Sequence, residues 1–117
     1  MSNSKRYDLE ERTLKFARDI RNLVKLLPKN ISNFEDGKQL IRSSGSVGAN
    51  YIEANESLSK KDFIMRIMIC RKEAKESEYW LSLVESGSLD LGRTKIKLVD
   101  EAIQLRKIFG SILEKSK

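Results

Sequence analysis

The sequence predicts an all-α protein, an antiparallel up-down four-helix bundle built as a single domain over residues 1–117. Three observations carry this expectation. Pro28 is the one proline and there are six glycines, which leaves room for long helices and little of the punctuation that separates strands. Four stretches repeat apolar residues at alternating spacings of four and three, the period of a helix packed along one seam. The third is a small-residue segment, residues 39–62, holding Ser43, Ser44, Gly45, Ser46, Gly48 and Ala49. Gly and Ser lower helix propensity by roughly 0.5–1 kcal/mol each relative to Ala. Their use makes sense where another backbone approaches closely, in the interior of a bundle.

The first helix is expected over residues 8–27. Asp8 can cap it, with Glu11 completing a D-x-x-E box, and Pro28 ends it. Leu9, Thr13, Phe16, Ile20, Leu23 and Leu27 form its seam. After the linker PKNIS, Ser32 or Asn33 caps a second helix over 33–57, with Glu35 and Asp36 in the favourable first turn. Its seam, Leu40, Ser44, Val47, Tyr51 and Ala54, fits within about 80° of a helical wheel. An adjacent arc is polar throughout: Gln39, Arg42, Ser46, Asn50, Glu53 and Ser57.

Ser59 is expected to cap a third helix over 60–86, whose seam runs Phe63, Ile67, Cys70, Ala74, Ser77, Leu81 and Val84. Met65, Ile69 and Trp80 lie roughly 100–160° from Phe63. A core of this size has little use for a second apolar flank, so these three predict an interface with another subunit. Ser86 and Gly87 end the helix, SLDLGR makes a turn, and the fourth helix is expected over 93–114. Leu98, Ala102, Leu105, Phe109 and Ile112 form its seam, widened by Val99, Ile103 and Leu113.

Composition excludes several function classes. The chain has no His and one Cys, Cys70, so His- or Cys-based metal sites, His-dependent triads and an intrachain disulfide have no residues to build on. The seam position of Cys70 marks it as a small buried apolar residue. The glycines of GSVGAN lack the Lys and Ser or Thr of a phosphate-binding P-loop. Glu53, Glu73, Glu76 and Glu78 lack the Glu-x-x-His pairing of carboxylate metal sites in bundles. No catalytic residue, metal or cofactor is expected. No apolar run of 18 residues exists and residues 1–6 lead into charged sequence instead of a signal-peptide core, so a cytoplasmic protein is expected. The tripeptides at Asn30 and Asn55 that match glycosylation sites are then accidental.

The polar arc of the second helix also carries a resemblance. Gln39, Leu40, Arg42, Ser46, Val47, Asn50 and Glu53, followed by Ser59, Lys60, Lys61, Phe63 and Ile64 and by RKEAKESEYWL at 71–81, resemble the four-helix-bundle proteins of 23S ribosomal RNA intervening sequences. The accessory protein of diversity-generating retroelements is similar to the same family. The resemblance covers nearly the whole chain. It implies a four-helix bundle of bacterial origin without an agreed enzymatic activity, and a ring of five copies.

Charge is the remaining signal. With 23 Lys and Arg against 17 Asp and Glu, the net charge is +6. Residues 35–56 hold two basic and four acidic side chains, so the excess lies elsewhere, notably in the first and last helices. Arg12, Lys15, Arg18, Arg21 and Lys25 climb the outward side of the first helix, a geometry suited to phosphates. Five copies at +6 each would carry about +30, and repetition would turn weak contacts into avidity. The expected function is a non-enzymatic, basic, oligomeric scaffold for RNA or DNA, together with a nucleic-acid enzyme such as a reverse transcriptase. The competing class is a structural or protein-interaction module that binds no nucleic acid. Arg42, Ser46, Asn50 and Glu53 are expected to form a buried polar network that fixes helix register, with Arg42 meeting a carboxylate on the third helix or on a neighbouring chain.

Overall fold

The four seams fold against one another as α1 (Ser2–Leu26), α2 (Ile31–Asn55), α3 (Lys60–Leu83) and α4 (Leu89–Lys115). The computed structural model describes residues 2–117, with side chains from Asp8 onward. Among the described residues there is no strand. Each helix packs on its chain neighbours and α1 closes on α4, while the diagonal pairs stay apart, giving an up-down bundle of 44 × 24 × 19 Å.

The core is made of the seam residues. Phe16, Ile20 and Leu23 of α1, Leu40 and Val47 of α2, Ile67, Cys70 and Leu81 of α3, and Leu105 and Phe109 of α4 are at most 1% exposed. Tyr51 and Phe109 meet across the centre, ring centroids 5.8 Å apart. Leu9, Phe63 and Ile112, at the outer ends of their seams, are partly buried against this core. The small-residue segment lets α2 approach α1 closely: a Cβ added at Gly48 would stand 2.9 Å from Thr13 Oγ1. It also holds a buried polar pair absent from the expected stripe, Ser43 Oγ and Ser77 Oγ at 2.9 Å, both fully buried between α2 and α3.

Several helix ends differ from expectation, each for a local reason. α1 begins at Ser2, not at Asp8, because residues 2–7 contain no Gly or Pro to stop it, so Asp8 lies inside the helix. α2 is capped by Asn30, whose side chain accepts from Asn33 N–H at 2.8 Å, rather than by Ser32 or Asn33. Asn33 is 4% exposed and ties the two loops at this end together. Its amide donates to Pro28 O and Glu85 O, both at 2.9 Å, and its Oδ1 accepts from Glu85 N–H at 2.8 Å. α2 stops at Asn55, with Glu56 as C-cap, and Ser59 caps α3 as expected, accepting from Asp62 N–H.

α3 ends at Leu83, short of Gly87, and Lys95 donates to Val84 O at 2.8 Å, placing a cation at the carbonyl end of the helix. Gly87 has φ +78° and sits so close to Pro28 that an added Cβ would stand 2.4 Å from its ring. Ser88 then caps α4, accepting from Leu91 N–H, so the segment SLDLGR is the first turn of a helix and not a loop. Gly92 is carried inside that helix, where its missing Cβ leaves ordinary contact with Ser86. No described helix is long and apolar enough to cross a membrane.

Candidate nucleic-acid interface

The five basic residues expected on the first helix have different fates. Arg12 turns inward to the α1–α4 seam. Its Nε and Nη2 donate to the two carboxylate oxygens of Glu101 at 2.7 and 2.8 Å, and Nη2 also reaches Gln104 Oε1 at 2.9 Å. The hydrogen bond to Glu101 holds the guanidinium pKa above its ordinary value, against a smaller opposing effect of burial. This fork is the main polar tie between α1 and α4, and Arg12 is committed to it. Lys15 pairs with Asp19 one turn on at 2.6 Å, which raises its pKa on an exposed surface. Arg21 donates to Ala17 O at 3.2 Å and lies over Gly45 of α2. Arg18 and Lys25 are exposed, with neither an ion pair nor a hydrogen bond. The outward row is thus Lys15, Arg18, Arg21 and Lys25, without Arg12.

A second basic surface lies between α3 and α4. This groove of about 740 Å³ is lined by Arg71, Lys72 and Lys75 of α3 and by Arg106, Lys107 and Gly110 of α4, with Met65, Met68 and Ile69 as its apolar part. Among the described residues no carboxylate lines it. Glu78 reaches it from the side, its Oε1 3.5 Å from Arg106 Nη2, and Arg106 Nε is buried without a partner. Gly110 opens space for Arg71, whose Cδ would lie 3.9 Å from an added Cβ. The groove between α1 and α4 contrasts with it, since two of its three cations, Arg12 and Lys15, stand against the carboxylates of Glu101 and Asp19 that line it, leaving Lys97. Sequence reasoning missed the α3–α4 groove because its two rows are some 35 residues apart. The one local signal was RKEAK, with Arg71, Lys72 and Lys75 inside five residues.

Met65 and Ile69 therefore line a cationic groove, and the pair is interleaved with charge instead of forming a purely apolar flank. Trp80, grouped with them on the helical wheel, packs against the core of its own chain and meets Tyr79 edge-on at 5.0 Å.

The polar stripe of α2 divides in two. Arg42 donates to both Glu73 oxygens at 3.4 Å and more closely to Glu76, and Gln39 Oε1 accepts from its Nε at 3.3 Å. The Glu73 side chain is 10% exposed and that of Arg42 49%, so a surface cation covers a buried carboxylate. About two turns on, Asn50 donates to Ser46 O and Oγ at 2.9 Å and accepts from Arg66 of α3 at 2.9 Å. Glu53 is outside both groups: it is exposed, and no ion pair or hydrogen bond to its carboxylate is present among the described residues. These are α2–α3 ties at the surface rather than one buried network. No cluster of potential metal ligands exists among the described residues.

The comparisons with known proteins agree with this architecture. A family model described as 23S rRNA-intervening sequence protein matches residues 5–111. A solved structure from Bacteroides thetaiotaomicron, described as a protein with unknown function from the S23 ribosomal protein family, is 34% identical, with a TM-score of 0.81. The match covers 94% of this chain and 98% of that one. No curated protein matches the chain.

Proposed function

Because the chain belongs to the family of 23S rRNA-intervening sequence proteins, we propose that it is a non-enzymatic basic scaffold that binds RNA or DNA as a homo-oligomer. The observation that carries this reading is the α3–α4 groove, where five cations line one surface and, among the described residues, no carboxylate does. Arg106 is paired with Glu78, but Arg71, Lys72, Lys75 and Lys107 are in no ion pair among the described residues; cations gathered in this way repel one another, and a polyanion relieves that repulsion while releasing its own counterions. Arg18, Arg21 and Lys25 on α1 supply a second phosphate contact. Glu73, a buried carboxylate, is covered by Arg42, and the Cys70 thiol is buried in the core.

Assembly is supported by apolar side chains left uncovered at the end of the bundle that carries the α1–α2 and α3–α4 loops. Ile31 is 85%, Leu89 79% and Leu26 66% exposed, a large apolar surface for a single small domain. The likeness to the retroelement accessory protein favours five copies and, as partner, a nucleic-acid enzyme such as a reverse transcriptase. Binding to a mixed-sequence RNA and a duplex DNA, titrated against salt, tests the reading. The logarithm of affinity should fall linearly with the logarithm of salt concentration, and replacing Lys72 and Lys75 with Glu should weaken binding to every sequence and flatten that slope. Absence of binding to any polynucleotide at low salt would leave the protein-interaction module as the better reading.

A further inference from the structure

We infer that the α3–α4 groove takes a single-stranded nucleic acid, holding phosphates on its cationic rails and bases against an exposed apolar stripe of α3. The inference rests on the nucleic-acid reading above and adds which form of polymer the groove fits.

The physical case begins with the side chains that alternate along the outer face of α3. Met65, Met68, Lys72, Lys75 and Tyr79 follow one another at spacings of three and four, so they share one face. Met65 is 50%, Met68 49% and Tyr79 59% exposed, although a phenol ring and two thioethers would be better buried. From Met65 to Tyr79 there are 14 steps of 1.5 Å, about 21 Å of helix, enough for a few successive nucleotides. Arg71 of α3 and Arg106 and Lys107 of α4 stand beside the middle of this stripe, because the antiparallel register sets Arg71 against Gly110 and Glu78 against Arg106.

A duplex presents phosphates outward and keeps its base faces stacked inside, so it would satisfy the cations and leave Met65, Met68 and Tyr79 in water. A single strand offers both chemistries at once. Bases stack on aromatic rings and lie against polarizable thioethers with little regard to sequence, while the backbone follows the positive groove. The edge-on contact with Trp80 at 5.0 Å restrains the Tyr79 ring before any base arrives. A second copy of the chain is the competing occupant, but it would have to bring carboxylates to a groove lined by five cations, and the exposed apolar end of the bundle offers it a surface without that cost.

The test is fluorescence anisotropy with a labelled mixed-sequence single strand and its duplex, at one salt concentration, on the full chain. Wild type should bind the single strand about tenfold tighter than the duplex, and Tyr79→Ala should lose about tenfold on the single strand alone. Tyr79→Phe, which keeps the ring, should retain wild-type affinity. Lys72→Glu with Lys75→Glu should weaken both ligands, with the helical circular dichroism signal and the oligomer mass unchanged. Equal binding of strand and duplex with a silent Tyr79→Ala would overturn the inference and leave the nucleic-acid reading standing. A change of oligomer mass in the Lys72 and Lys75 variant would overturn it in favour of a second copy in the groove. Binding that only the Arg18 and Arg21 variants abolish would also overturn it, moving the contact to α1. A wild type that binds neither ligand would overturn the proposed function itself.

Discussion

Asn33 shows how one side chain can hold an end of the bundle. From the first turn of α2 it makes one hydrogen bond to the α1–α2 loop at Pro28 and two to the α3–α4 loop at Glu85, all three half-buried. Asn33→Ala should lower unfolding free energy by about 2–3 kcal/mol, because it strands an N–H and two carbonyls as well as removing their partner. Denaturant unfolding measures it. Cys70 makes a different point. Burial pushes its thiol from 9.0 up to about 12, with smaller opposing effects from hydrogen bonding and Arg66. The folded state therefore keeps its proton where the unfolded chain has lost it. Its contribution to stability is complete below 9.0 and is lost as pH rises toward 12, at up to about 1.4 kcal/mol per pH unit. Between those limits wild type should lose stability faster than Cys70→Ala in parallel unfolding series. At pH 8 the native thiol should resist alkylation and react once the chain is unfolded.

At the scale of elements, the spacing of α1 and α2 depends on a glycine opposite a threonine. Ala is the better helix former by about 1 kcal/mol. Yet Gly48→Ala places a methyl 2.9 Å from Thr13 Oγ1, and the two helices must part or Thr13 must leave its hydrogen bond to Leu9 O. The net result should be a loss of about 1–3 kcal/mol. Combining Gly48→Ala with Thr13→Ala should recover part of it, a non-additivity that a double-mutant cycle by thermal unfolding reads directly. The contact between α1 and α4 has the opposite character. It relies on the fork of Arg12 on Glu101, with side chains about a third and a quarter exposed, and is correspondingly the looser closure of the four.

For the whole molecule, the exposed apolar end and the +6 charge pull in different directions: one favours association, the other keeps copies apart at low salt. Analytical ultracentrifugation should therefore find a multiple of the 13.5 kDa chain, with five copies favoured, and a mass that holds or rises as salt screens the repulsion. Replacing Ile31 and Leu89 with Glu should reduce the mass toward the monomer without unfolding it, since both are largely exposed in the single chain. A wild type that stays monomeric at micromolar concentration would remove the oligomer from the proposed function.

The amino-acid sequence alone determined the all-α class, the four helices and most of the core, because a seam is a local periodicity: apart from Phe63, which is partly buried, the expected seam positions from Thr13 to Phe109 are buried. The resemblance carried by residues 39–81 was legible for the same reason, as a run of side chains in fixed order. Helix ends were less legible. SLDLGR with its Gly92 reads as a turn, whereas in the structure Ser88 caps α4 and Gly92 lies inside it. Charge was the least legible. Arg12 has a free-standing look in sequence, and nothing near it announces Glu101, 89 residues away. Arg71 and Lys107 are equally remote until α3 and α4 are laid side by side. Whether a cation is spent on an ion pair or left facing solvent depends on which helices are neighbours and in what axial register, and that is a property of the tertiary structure.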